Sequence, residues 1–245
     1  MRSLPPRTPL ASDVQKRLGA KSSVILSFAD LRERREKART IYEAARGSRW
    51  FLPVIQALRS ICGEGELCMY CSANEPSQVE HYQPLSVFPE KAFEYENYLW
   101  TCDICNRHKG NRFPPDTEQG AIILNPLDDR VWDYFFLDEM YGHLIPKFDV
   151  VADAYMSRAV STCSVIGIDR ENVQIRRRHR YKRLRQSVQT TLDDFHSGDL
   201  TAAVLRTEIV DLRGEPFQAD VADYFLNGLG RVHEPFLSLL RAANE

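Results

Sequence analysis

Two Cys-x-x-Cys pairs, Cys68-Met69-Tyr70-Cys71 and Cys102-Asp103-Ile104-Cys105, constrain this chain more than any other feature. Two residues between cysteines let a tight turn aim both thiolates at one ion. Two such turns facing each other offer four sulfurs in a tetrahedron, the closed geometry of structural zinc. Thioredoxin-like redox chemistry needs a single pair beside a βαβ pattern, which is absent here. A disulfide framework is disfavoured as well. The first residues, MRSLPPRTPLASDVQKRLG, lack the long apolar stretch of a secretory signal, so the cytoplasm is the expected location, and disulfides are rare there. Cys62 and Cys163 stand outside the pairs and are expected to pack as small core residues. No run is apolar over the roughly 18 residues of a membrane span, so no membrane partner is expected.

The pairs sit in a segment, residues 64–116, that is rich in proline and short apolar runs and carries no long helical pattern. Around it the periodicity is helical. Residues 1–20, with prolines at 5, 6 and 9, read as an irregular arm. Leu31, Ala38, Ile41, Tyr42 and Ala45 recur at helical spacing within 28–46, and a second helix is expected from Trp50 to Ile61, stopped near Gly63. Short strands are expected at Ile122–Leu124, Tyr134–Leu137 and His143–Ile145, separated by Asn-Pro, Asp-Asp and Tyr-Gly. Helices are expected again at 153–166, 170–196, 199–213 and 217–242, the last broken near Gly228 or Gly230. The chain therefore divides into an N-terminal arm with helices (1–63), a zinc-bound module (64–116), short strands packing on it (117–150) and a helical C-terminal region (151–245). The fold class is α+β.

The formal net charge is −2, so any contact with nucleic acid must come from a local basic face. Two runs qualify, Arg32–Arg39 and the denser Arg176–Arg185 (RRRHRYKRLR). The second is either a binding face for nucleic acid or an acidic partner, or a helix face that is solvated or paired with acids. Trp132, Tyr134, Phe135 and Phe136 are expected in the core rather than as a base-stacking platform. His143, His179, His196 and His233 have no supporting cluster and are expected to be structural or exposed.

Between the cysteine pairs lie Glu80-His81 and Asn97, and directly after Cys105 come Asn106, Lys109 and Gly110. A zinc that staples a hairpin base to the start of a helix would bring Glu80, His81 and Asn106 to one side. Phosphodiester hydrolysis needs an activated water and a cation to absorb charge on the phosphate. Histidine is the natural base near neutral pH. A carboxylate and an amide oxygen are hard ligands suited to Mg2+ or Mn2+. Lys109 falls on the same helical face as Asn106, where it would help hold a phosphate backbone. His108 points roughly 200° away around a regular helix and is the weaker ligand candidate. Asn97 is either part of this constellation or a turn former. Arg107, Asn111 and Arg112 either contact phosphate or are solvated.

The string Cys68-x-x-Cys71, Glu80-His81-Tyr82-x-Pro84, Asn97-x-Leu99, Cys102-x-x-Cys105-Asn106-x-x-Lys109-Gly110-Asn111 resembles the HNH endonuclease, or ββα-metal, motif. The resemblance implies a zinc-stapled ββα-metal module set in a mainly helical protein. It makes His81 the general base, gives the divalent cation to Glu80 and Asn106, and has Asn97 fix the loop and orient His81. Many members carry aspartate where this chain has Glu80, and the extra methylene shifts the carboxylate. More widely, "EHYQPLS", "YENYLWTCDICNRHKGNRFP" and "SVIGIDRENVQIRRRHR" resemble the HNH subunit of Septu-type anti-phage systems (PtuB) and related retron-associated nucleases. That likeness alone implies a bacterial defence role beside an ABC-type ATPase (PtuA-like); a further expectation makes the helical C-terminal half an interaction platform for such an ATPase. The expected substrate is DNA or, alternatively, RNA. The competing expectation is a non-catalytic zinc-stabilised module that binds nucleic acid or protein.

Overall fold

Helix α1 (Ser12–Leu26) buries Val14, Leu18 and Ile25 along one side. It corrects the expectation of an irregular arm over residues 1–20: the three prolines end at Pro9, and the apolar spacing beyond them is helical. The computed structural model describes residues 1–2, 4–63, 65–113, 115–116, 120–121, 123–214, 219–227, 238 and 241–242. Helix α2 (Leu31–Arg46) is capped by Asp30, whose carboxylate accepts from Glu33 N at 2.8 Å, and it buries Ala38, Tyr42 and Ala45. Helix α3 (Leu52–Cys62) carries Pro53 in its first turn, where the missing N–H costs nothing, and it buries Val54, Leu58 and Ile61. It stops at Gly63, whose φ of +76° is open to glycine and strained for other residues.

Strand β1 (Gln78–His81) pairs antiparallel with β2 (Tyr98–Thr101), Gln78 opposite Thr101 and His81 opposite Tyr98. Every residue of β2 is buried. The short helix α4 (Asp103–Lys109) follows at once, with Cys102 at its N-cap. Two strands and a helix thus occur in order within the cysteine-bounded segment.

Beyond α4 the chain makes small antiparallel pairs. These are β3 (Pro115–Asp116) with β4 (Gly120–Ala121), β5 (Phe135–Leu137) with β6 (Leu144–Pro146), and β7 (Phe148–Asp149) with β8 (Ala154–Tyr155). The second pair matches the strands expected at 134–137 and 143–145 to within a residue. The strand expected at 122–124 does not form: Ile122 lies outside the described residues, and Ile123 and Leu124 are buried but irregular. Side chains take their backbone groups, Tyr82 Oη donating to Ile123 O and Leu124 N donating to Thr162 Oγ1. Of the four aromatics expected in the core, Trp132 and Phe135 are buried and Tyr134 is half-buried. Phe136 is 42% exposed because strand alternation turns it to the other face of β5.

Helices α5 (Ser157–Ile166), α6 (Glu171–Ser197), α7 (Ala202–Gly214) and α8 (Ala219–Asn227) follow, and the helix expected from 153 begins as strand β8 instead. The break expected near Gly228 or Gly230 and His233 lie outside the described residues. Among the described residues no helix is long and apolar enough to cross a membrane. His179 and His196 are exposed, while half-buried His143 holds Asp169 Oδ2 at 2.8 Å through Nδ1.

The basic run of α6 turns inward in part. Arg176 donates to Ala73 O and Asn74 Oδ1, and Arg180 to Ser72 O at 2.6 Å, so both fasten α6 to the loop after Cys71. Arg177 is buried and donates to Gly142 O and Ile168 O. Asp220, 1% exposed, answers Arg180 at 2.7 Å and Arg177 at 3.9 Å. Breaking one side of a buried pair leaves the other charge uncompensated. Asp220→Asn should therefore lower unfolding stability by about 3 kcal/mol in denaturant titrations, and a loss under about 1 kcal/mol would mean the carboxylate is not needed there.

Candidate active site and metal centre

Hairpin and helix are joined through sulfur. The four Sγ atoms of Cys68, Cys71, Cys102 and Cys105 all lie within 4.8 Å of one another, and all four cysteines are buried. Cys71 and Cys102 approach to 4.0 Å, far beyond a disulfide. Zinc at about 2.3 Å from each thiolate requires sulfurs about 3.8 Å apart, so the cluster has the size and chemistry to hold that ion. Its surroundings also suit a site of negative charge. Asn74 Nδ2 lies 3.8 Å and 3.7 Å from Cys71 and Cys102 Sγ, and Arg170 Nη1 and Nη2 each lie 3.5 Å from Cys105 Sγ. Four thiolates and Zn2+ sum to −2, which a guanidinium offsets while orienting a ligand. Arg170 is absent from the sequence expectations, although one signal was there. It occupies the N-cap of α6 without a side-chain cap, where a cation opposes the helix dipole and needs a partner elsewhere.

At the other end of the hairpin, the last residues of β1 face α4 across an open cleft of about 410 Å³. Glu80, His81, Asn106, Asn111, Arg39 and the Pro84–Ser86 loop line it. The expected convergence of Glu80, His81 and Asn106 is therefore present. Arg39, reaching in from α2, was not among the expected site residues. Its only signal was membership of the Arg32–Arg39 run, and it is mostly exposed, with Glu43 at 3.0 Å.

The imidazole of His81 is fixed on three sides. Its Nε2 lies 3.0 Å from Ala92 O, and the rings of Tyr42 and Tyr98 stand edge-on at 4.4 and 5.2 Å between centroids. A carbonyl only accepts, so Nε2 carries the hydrogen and Nδ1 keeps the lone pair. Burial lowers the His81 pKa to about 4, helped by Lys109 and opposed by the Ala92 hydrogen bond. The ring is therefore neutral at pH 7.

Asn97 stands outside the cleft and holds the loop that supplies Ala92. Its Oδ1 accepts from Gln83 N at 2.7 Å, and its Nδ2 donates to Gln83 O and Lys91 O. Lys91 directly precedes Ala92, so the amide positions the carbonyl that orients His81.

Two expectations change, those for Lys109 and Arg112. Lys109 is not available to a phosphate: it is fully buried, with Nζ 2.5 Å from Glu80 Oε1 and 2.8 Å from His81 O. Helical spacing put it on the side of Asn106 correctly, but that side faces the hairpin. Burial pushes Glu80 up and Lys109 down, and each partner's charge opposes the shift of the other. Arg112 donates to Val165 O at 2.8 Å and to His108 O, which fastens the end of α4 to α5. Arg107 remains exposed, paired with Asp103 at 2.6 Å. His108 lies against Gly167, away from the cleft, as the helical geometry required.

Fold and cleft agree with the comparison to known families. Residues 68–112 match the HNH endonuclease family, which supports a nuclease that binds metal. No curated protein matched the chain.

Cys102→Ser should release zinc and melt the hairpin and α4, read as loss of bound zinc by elemental analysis together with loss of ellipticity. A folded variant that keeps stoichiometric zinc would refute four-sulfur binding. A second expectation follows from His81. Between its ordinary pKa of 6.5 and the folded value of about 4, the unfolded chain takes up a proton that the folded protein refuses. Stability must then fall with falling pH across that window, by up to roughly 1.4 kcal/mol per pH unit from this residue. Denaturant titrations at several pH values should give a shallower slope for His81→Asn, whereas equal slopes would place the proton uptake elsewhere.

Proposed function

We propose that this protein is a divalent-metal-dependent HNH endonuclease that hydrolyses phosphodiester bonds in DNA, with RNA as the alternative substrate. One observation carries the reading: a neutral His81, its Nε2 held by Ala92 O, lines the same cleft as a carboxylate, an amide and an arginine. In this reading the Nδ1 lone pair of His81 takes the proton of the attacking water, and the fixed ring loses no time to reorientation. Asn106 and Glu80 would hold Mg2+ or Mn2+, which when bound supplies charge stabilisation at the phosphate and leaving oxygen. Arg39 adds a guanidinium for a non-bridging phosphate oxygen. Arg107, exposed on α4, is the remaining candidate of the expected set for the neighbouring backbone. Asn97 acts through the loop and touches no reacting atom. In this reading β1, β2 and α4 form the ββα-metal module, with zinc on the four cysteines at their base.

We further infer, on the sequence resemblance alone, a cytoplasmic role as the nuclease effector of a bacterial anti-phage system with an ABC-type ATPase partner. Plasmid cleavage with Mg2+ or Mn2+ tests the enzymatic core. His81→Ala should lose roughly 10²–10⁴-fold in rate while keeping zinc and fold. Cutting at the wild-type rate by that variant would end the catalytic reading and leave a zinc-folded binding module.

A further inference from the structure

Lys109 carries no expected role in its observed position, and its surroundings are unusual. Its ammonium is fully buried, a costly state that only well-placed acceptors sustain. The two acceptors are Glu80 Oε1 at 2.5 Å and His81 O at 2.8 Å, both hard oxygens from the last two residues of β1. Glu80 is also the only carboxylate among the described residues that line the cleft. Whatever cation the cleft recruits through a carboxylate must therefore recruit the one that Lys109 already holds.

We propose that Lys109 is a resident cation which keeps Glu80 in place of a divalent ion, so that the ion loads by exchange against the ammonium. The proposal rests on the reading of the cleft as a nuclease metal site. Lys109 is thus a positioning residue whose pairing weakens metal binding in the free protein. The electrostatic reason is simple. Before exchange the pair is neutral. After it, a buried ammonium has lost its counter-charge and faces a doubly charged ion. Removing the ammonium removes both penalties. A structural lysine would behave differently: its loss would destabilise the fold without changing affinity for the ion.

The test titrates MnCl2 into the full-length, zinc-loaded protein in chelator-free buffer stripped of other divalent ions. Free Mn2+ is counted by electron paramagnetic resonance, and unfolding temperature is followed alongside. Lys109→Met should unfold at lower temperature without Mn2+, gain more from Mn2+ than the wild type does, and bind it at least about tenfold more tightly, the size expected for a lost charge-assisted bond. Glu80→Gln should bind more weakly than the wild type. Equal or weaker Mn2+ binding by Lys109→Met overturns the exchange. If that variant does not fold, the wild type still decides the matter. Acetylation with an amine-reactive ester, read by peptide mass spectrometry, should leave Lys109 protected without Mn2+ and modify it with Mn2+. Unchanged protection overturns the proposal. The two readings fail separately: equal affinities with His81-dependent cutting intact refute the exchange alone, whereas no Mn2+ binding in any form and no His81-dependent cutting refute both.

Discussion

Four sulfurs converging on one point govern the geometry of everything around the cleft. Cys68 and Cys71 belong to the turn that leads into β1, and Cys102 and Cys105 open α4. Tying them together fixes the angle between a four-residue strand and a seven-residue helix, elements too short to hold one another by apolar burial alone. Because β1 is fixed at its start, Glu80 and His81 emerge at a defined place at its end. Because α4 is fixed at its first turn, Asn106 meets them one turn later.

The centre is in turn supported from a distance. Arg170 at the start of α6 meets Cys105, and Arg176 and Arg180 hold the loop that follows Cys71. The N-cap and first turns of one helix therefore reach Cys105 and the loop that follows Cys71, and Asp220 of α8 backs that helix at Arg180. The dense positive charge of the run is partly consumed inside the protein, against backbone carbonyls and the carboxylates of Asp169 and Asp220. Only its outer members, such as the exposed Lys182 and Arg183, remain as surface charge.

How much of this could be read from the residues alone depended on the range of the interactions. The cysteine spacing carries its own geometry, so the four-sulfur cluster was legible, and with it the meeting of Glu80, His81 and Asn106. The helices with strong apolar spacing were legible too. Burial of charge was not. Lys109 and Arg112 look like surface cations in a one-dimensional text, because what consumes them, Glu80 and Val165 O, lies far away along the chain. Arg39 was missed for the same reason, since it enters the cleft from a helix outside the cysteine-bounded segment. The strand expected at Ile122–Leu124 failed because an apolar run shows burial but not who takes the backbone hydrogen bonds. Here the takers are Tyr82 and Thr162.

The clamp made by Asn97 has a consequence for how such a protein can change. One amide grips the loop at Gln83 and at Lys91, and the backbone of Asn97 also accepts from Tyr82. Between those grips, Phe88 O and Pro89 O accept from Lys91 N and Ala92 N and so share in setting the carbonyl that aims the imidazole, whereas Leu85 and Ser86 on the cleft wall take no part in those bonds. New side chains at those two positions would reshape the cleft rim while His81 keeps its bearing. The fold thereby separates the rim of the cleft from the support of His81, and lets the first drift over evolutionary time without retuning the second.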